Sequence, residues 1–346
     1  MAKKHITLIF VIIVVSFSFI FSVPVLIISS HLSIYGVINE SFSLKYSLGT
    51  PDSIETLNLY VDVGNIEIKY IEPPFDYHVK TDLDIKMGGA NVVQKSYLDY
   101  FIVLLENSSS SAVNFTFKIR PNLVRNEVLS LVNNITIIVS LRPDIAFDII
   151  TLVNDGNCKI TVPFGVSIGN ILTNISRGNL LYNFVYCTIG GNITGIVNKG
   201  NIELMAIDAK YNTTNNWNLT IETGNLDINV NQNRDLGGNI TGLVEINNGM
   251  VFLFYNDNNP NIGAQFKVPY WNNWNANTLE LPVCLSITAP CLLEGFDRQP
   301  SALHEPWEGI IEFTSYDFLT VNNSYEITFE IFKGRFDMDL TSFPYT

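Results

Sequence analysis

The chain has 346 residues, 47% hydrophobic and 15% charged, with a formal net charge of -13. That apolar content excludes a disordered chain, and the length allows one elongated domain or two compact ones. The acidic balance argues against nucleic acid, whose phosphates need a basic patch, and against docking on an anionic lipid surface.

Residues 1–5 form a short stub carrying Lys3 and Lys4. Ile6 to Ile28 then hold no charge, with a single proline at Pro24. An apolar stretch of this length is expected to span a bilayer as a signal-anchor helix, and the lysines favour a cytoplasmic N-terminus. The expected localisation is the cell membrane, single-pass, with the bulk outside. A cleaved signal peptide with secretion is the second choice, because the apolar run exceeds a usual signal core and lacks an A-x-A-like site.

Residues 29–50 read as a stalk without strong periodicity, and 51–150 as a β-strand region. Its expected strands are Leu57–Ile71, Tyr77–Ile85, Leu98–Leu105, Val113–Ile119, Asn134–Val139 and Ile145–Leu152. A polar hairpin tip falls at Asn107–Ser111, and Asn126–Val132 suits either a short helix or a strand lead-in.

Residues 151–255 repeat one phrase. A β-branched residue, two polar-leaning residues, a glycine and then Asn or Met recur at Val153–Asn157, Ile175–Asn179, Val197–Asn201, Ile221–Asn225 and Ile246–Met250. The glycines Gly156, Gly178, Gly200, Gly224 and Gly249 lie 22, 22, 24 and 25 residues apart. A period near 22 with a fixed turn signal predicts an all-β fold, a β-solenoid of stacked coils. After each glycine, apolar and polar residues alternate, as in a half-buried strand. The inward positions are expected at Cys158, Leu180, Ile202 and Leu226, then at Ile160, Tyr182, Leu204 and Ile228. Each glycine is expected at a corner with positive φ, and Asn157, Asn179, Asn201 and Asn225 are expected to stack as a hydrogen-bonded ladder. A single earlier copy, Val61–Ile68, suggests that this geometry begins near residue 57. Residues 256–346 are expected to form a loop rich in Asn and Trp and then a β-rich cap over the open end of the stack.

Four cysteines occur. Cys284 and Cys291 are close enough to clip a loop as a disulfide outside the cell, whereas Cys158 falls on an inward position. Ten Asn-x-Ser/Thr sites are candidates for N-glycosylation: Asn39, Asn107, Asn114, Asn134, Asn174, Asn192, Asn212, Asn218, Asn239 and Asn322. Phe266, Tyr270, Trp271 and Trp274 cluster between asparagines. They suit either a ligand surface that stacks on sugars or a protein, or shielding of the end of the stack. Glu203 and Asp227 share a coil position and are expected side by side. That spacing would suit a paired-carboxylate sugar hydrolase, or simply an outward polar strand face. No motif for catalysis, phosphate binding, metal or cofactor appears.

With those elements in place, the chain resembles a prokaryotic family of presumed adhesins with β-strand repeats, a domain of unknown function. The residues that carry the resemblance are Ile135–Pro143, the lead strand Phe147–Val153 and the G-x-[IL] coils from Gly156 to Met250. It covers about residues 130–255 and extends to 57–70. A Pro-x-Gly segment usual ahead of the coils is replaced here by Arg142-Pro143-Asp144. The anchor and sequons would make this a membrane-anchored, archaeal-like member. The resemblance implies a β-solenoid without established catalytic residues. The expected function is therefore a non-enzymatic, membrane-anchored extracytoplasmic protein, acting in adhesion or as an envelope scaffold. Its expected partners are the membrane and a cell-surface glycan or envelope protein, with no cofactor and no nucleic acid. A polysaccharide-binding or polysaccharide-cleaving β-helix, and the ectodomain of a membrane sensory or regulatory complex, are the alternatives.

Overall fold

A computed structural model describes residues 35–47, 54–71, 77–90, 96–109, 111–271, 293–294, 296–300, 308–315, 318–332 and 334–341. Twenty-one strands join in one sheet that bends around a single interior, and a small three-stranded sheet stands beside it. The large sheet has two sides. In hydrogen-bonded order the first runs Phe101–Ser109, Ala112–Ile119, Ile54–Val61, Ala146–Val153, Ile171–Arg177 and Ile193–Lys199. It continues through the first halves of Asn215–Gln232 and Ile240–Asp257, then Asn323–Ile331, Ile262–Trp271, Glu308–Ser315 and Phe296–Pro300.

The second side runs Tyr35–Tyr46, Val79–Ala90, Val132–Leu141, Asn65–Tyr70, Cys158–Val162, Leu180–Val185 and Ile202–Ile207. The second halves of Asn215–Gln232 and Ile240–Asp257 follow, and then Gly334–Thr341 and Leu293–Glu294. Ser167–Ile168, Thr188–Ile189 and Lys210–Tyr211 form the small sheet, and their Ile168, Ile189 and Tyr211 belong to the same core.

Period-2 alternation drives this arrangement, because each strand has one apolar face to hide. The expected inward positions are buried: Cys158, Leu180 and Ile202 at 1% exposure, and Leu226, Ile160, Tyr182, Leu204 and Ile228 at 0%. Each such aliphatic side chain contributes about 1.5–3 kcal/mol relative to exposure. Gly156, Gly178, Gly200 and Gly224 have positive φ, as expected, Gly249 is not among the glycines with positive φ, and a closer constraint appears as well. A Cβ on Gly178 would stand 1.9 Å from the carbonyl oxygen of Gly156, so successive corners pack backbone on backbone.

The longer repeat spacings are absorbed at one place. Phe184 and Ile193 are paired with Ala206 and Trp217, which in turn are paired with Val230 and Gly242. The connection from second to first side thus grows from 9 (193 − 184) to 11 (217 − 206) and 12 (242 − 230) residues, and the two and three extra residues fall beyond the paired strands.

The expected fold class is corrected. The described strands do not form a solenoid closed by a separate cap. One nearly closed, barrel-like sheet contains parallel and antiparallel pairs alike. The strands Ile54–Val61 and Asn65–Tyr70 lie beside Ala146–Val153 and Cys158–Val162, about ninety positions further on, within that sheet. At the other end Asn323–Ile331 and Gly334–Thr341 add directly to Ile240–Asp257. The reason is that unpaired strand edges are costly, so flanking strands are drawn into the ladder.

The expected localisation is corrected too. Among the described residues no helix is long and apolar enough to cross a membrane, and the segment 6–28 lies outside those residues. The single-pass membrane assignment therefore has no support among the described residues. The stretch expected as a stalk contains a twelve-residue strand, Tyr35–Tyr46, antiparallel to Val79–Ala90. The stretch expected as a loop contains Ile262–Trp271. Asn126–Val132 takes the helical option, as the helix Arg125–Leu131.

Candidate functional site

Two asparagine columns line the corners. Along the first, Asn65, Asn157, Asn179, Asn201 and Asn225 each offer Oδ1 to the backbone N–H of the next corner, at 2.8–3.2 Å. The expected ladder is there, but its donors are mainly backbone amides. Only Asn157 adds a side-chain amide bond, Nδ2 to Asn65 Oδ1 at 2.8 Å. Along the second column Asp148, Asn170 and Asn192 do the same for Asn170, Asn192 and Asn216. These bonds satisfy backbone groups that the sharp corners would otherwise strand.

On the outer face of that side, Glu203 and Asp227 are register partners, as expected. The row continues to Phe252 and Asp337. The next row holds Met205, Asn229, Phe254 and Asp339, and the previous one Asn201, Asn225, Met250 and Arg335. Met250, Phe252 and Phe254 thus form an outward column on one strand, exposed by 36%, 42% and 39%. Their inward neighbours Val251, Leu253 and Tyr255 are buried, so this strand is apolar on both faces.

Among the described residues no lysine or arginine pairs with Glu203, Asp227 or Asp339. Partial burial of its carboxyl raises Asp227 above the ordinary value, although the residue as a whole is exposed. One Asp339 oxygen is buried without a hydrogen-bond partner. At the far end of the same side a groove of about 280 Å³ is lined by Ser41, Ser43, Asp82, Asp84 and Thr136 among others. There the acids are compensated, Lys80 to Asp82 at 2.7 Å and Lys86 to Asp84 at 3.0 Å. Among the described residues no group of three or more His, Cys, Asp or Glu could hold a metal ion.

Of Phe266, Tyr270, Trp271 and Trp274, which suit either a ligand surface or shielding of the end of the stack, only the side chain of Phe266 is described. Phe266 is fully buried, edge-on to Tyr255 at 5.2 Å, and presents no surface to a ligand. Tyr270 and Trp271 end the strand Ile262–Trp271. Trp274, Cys284 and Cys291 lie outside the described residues. Cys158 and Cys187 are buried free thiols, and burial pushes both up to about 12. Of the sequon asparagines, Asn39, Asn134, Asn192, Asn212, Asn218 and Asn322 are exposed, and Asn114, Asn174 and Asn239 are half-buried. Asn107 lies in the strand Phe101–Ser109.

Sequence reasoning missed the Met250–Phe252–Phe254 column. Its signal was present: Met250 to Tyr255 is an unbroken apolar run where the equivalent segments of the other coils alternate.

No protein-family model and no curated protein sequence matches the chain. Three solved structures to which it is similar are bacterial. A presumed cell adhesion protein from Clostridium sporogenes is 13% identical, with a TM-score of 0.31 over 87% of this chain and 99% of that one. A presumed adhesin from Bacteroides fragilis is 10% identical, with a TM-score of 0.36 over 88% and 97%. A presumed lipid binding protein from Parabacteroides distasonis is 8% identical, with a TM-score of 0.34 over 86% and 96%. Likeness at this level decides nothing about function, and the archaeal-like character expected of the chain has no counterpart among these three.

Proposed function

We propose that the protein is a non-catalytic binding protein, acting in adhesion or as an envelope scaffold through the outer face of its second side. The observation that carries this reading is the exposed Met250, Phe252 and Phe254 column. Large apolar side chains grouped on a sheet face are costly in water, and such patches mark interaction surfaces. A parallel strand backed by a rigid core keeps them in fixed positions, which reduces the ordering cost of association. The test is binding of the purified protein to whole cells and to envelope fractions, alongside a Phe252→Ser/Phe254→Ser variant. Saturable binding that the variant loses supports the reading. Binding that the variant retains in full refutes it for this face.

A polysaccharide-cleaving role is the second reading, and the Glu203–Asp227 adjacency beside Phe252 favours it. A raised carboxyl next to a second acid is the pattern of a general acid and its partner. Both residues, however, stand exposed on an open strand face, whereas such chemistry needs an enclosed, water-poor site. Assay of soluble glycans with the wild type and with Glu203→Gln/Asp227→Asn separates the two. Wild-type hydrolysis that the variant lacks would replace the binding reading with an enzymatic one.

A further inference from the structure

One level of the core is polar where the level before it is apolar. In the register of the coils Tyr211 takes the place of Ile189, and Trp217 that of Ile193. Asn215 stands two residues before Trp217, where the preceding coil has Gly191 two residues before Ile193. Three side chains with polar tips thus enter the core together, in the stretch where the connection from second to first side first lengthens. All three are 0% exposed, as are Tyr325 and Gln232 beside them. The group is contiguous. The Trp217 ring lies 6.3 Å from that of Tyr211 and 5.9 Å from that of Tyr325, centroid to centroid. Asn215 Nδ2 donates at 3.4 Å to the carbonyl oxygen of Ile189, the register partner of Tyr211. Tyr325 Oη donates to Gln232 Oε1 at 3.5 Å and interacts with the Tyr211 hydroxyl.

Two atoms of this group are left over. Among the described residues Asn215 Oδ1 and Trp217 Nε1 meet no hydrogen-bonding group, although both are buried. One is an acceptor and the other a donor. Bare in the core, each would carry its full desolvation penalty, and protein interiors satisfy such groups with protein partners or with ordered water. Water offers a donor and an acceptor in one small molecule. An ion does not suit the place, since none of the five side chains carries a charge to balance it. A larger solute has no opening through side chains that are 0% exposed.

We infer that the core at this level is an internal water-binding site, in which ordered water donates to Asn215 Oδ1 and accepts from Trp217 Nε1, with the Tyr211 and Tyr325 hydroxyls alongside. A buried water typically makes about three hydrogen bonds, and the two leftover atoms with one phenol supply that number. The site is part of the fold and independent of the outer face of the second side, so its failure would leave the binding reading untouched.

The experiment uses the full chain. A crystal structure should show solvent density within hydrogen-bond distance of Asn215 Oδ1 and Trp217 Nε1. In solution, the indole N–H of Trp217 is identified among the four tryptophans by its loss in Trp217→Phe. It should give a nuclear magnetic resonance cross-peak to water in the rotating frame, with the sign of direct contact and not of exchange. Asn215→Leu removes the acceptor and puts methyl groups in the space, so it should abolish that cross-peak while unfolding stays cooperative. Tyr182→Phe is the control. Its hydroxyl donates to the Thr194 carbonyl oxygen at 3.1 Å, and the cross-peak should persist unchanged in that variant. Absence of both density and cross-peak in the wild type would overturn the inference. Density for an ion or a larger solute would overturn it in favour of that ligand. A cross-peak that survives Asn215→Leu at full strength would overturn it too, because the water would then belong to Trp217 alone. If Asn215→Leu does not fold, the two wild-type measurements decide.

Discussion

Glu55 and His78 meet inside the core, Oε1 to Nδ1 at 2.8 Å, with side chains 0% and 3% exposed. Glu55 belongs to the first side and His78 directly precedes the second-side strand Val79–Ala90. The pair therefore ties the two sides together across the interior at one end of the molecule. Removing one partner leaves the other polar group buried without it. Glu55→Ala or His78→Ala should each cost about 3–5 kcal/mol in chemical denaturation. The double replacement Glu55→Leu/His78→Leu should cost less than either single change, because neither polar group is then left buried without the other.

The corner glycines should separate into two classes. Gly200→Ala places a Cβ 1.8 Å from the carbonyl oxygen of Gly178, at φ +142, and no side chain can move to relieve it. A loss of about 3 kcal/mol or more is expected. Gly165 also has positive φ, at +76, but a Cβ there meets nothing within 4 Å. Gly165→Ala should cost only about 1–2 kcal/mol, the backbone preference alone. Equal losses in thermal unfolding would contradict the backbone-on-backbone account of the corners.

The asparagine column makes a local claim. Asn179 Oδ1 accepts the Asn201 N–H at 3.0 Å, so Asn179→Ala should cost about 1 kcal/mol. Hydrogen exchange should quicken most at the Asn201 amide. Unchanged protection there would mean that the column follows the fold and does not support it.

Cys158 and Cys187 should resist alkylation in the folded protein, since burial holds both thiols near 12 and the thiolate is the reactive form. Iodoacetamide followed by mass spectrometry should find both sites unmodified at pH 8 and modified after denaturation.

Asp227 gives a dependence on pH with a defined sign. Its carboxyl is raised by burial, so the charged form is disfavoured in the fold relative to the unfolded chain at the ordinary value of 3.8. The penalty is fully present at neutral pH and disappears as pH falls through the raised value to below 3.8. Asp227→Asn should therefore raise the melting temperature slightly at pH 7 and not at pH 3.

How much of this was legible in the chain depends on the range of the interaction. The in-or-out choice along Cys158–Val162 or Leu180–Val185 is written in alternate residues. The 22-residue register of Leu180 on Cys158 and Ile202 on Leu180 follows from the glycine spacing. Tyr35–Tyr46 was not legible as a strand, because its pairing to Val79–Ala90 spans a long connection and its serines weaken the alternation. For Phe266 the sequence left two readings open, a ligand surface or shielding of the stack. Proximity to Tyr270, Trp271 and Trp274 in sequence suggested a cluster, while the strand's own alternation sends Ile262, Ala264, Phe266 and Val268 inward.

The sequence by itself determined the all-β character, the corners at Gly156 through Gly249, the inward positions and the asparagine column. These depend on neighbours one strand away or on a residue's own backbone, and identical coils repeat the same local solution. Only the tertiary structure decided that Ile54–Val61 and Asn65–Tyr70 insert beside Ala146–Val153 and Cys158–Val162, that the sheet bends nearly shut, and that Asp227, Phe252 and Asp337 share one row. Those placements arise because open edges and apolar faces must find partners wherever the chain can supply them, and local pattern does not specify which distant segment that will be.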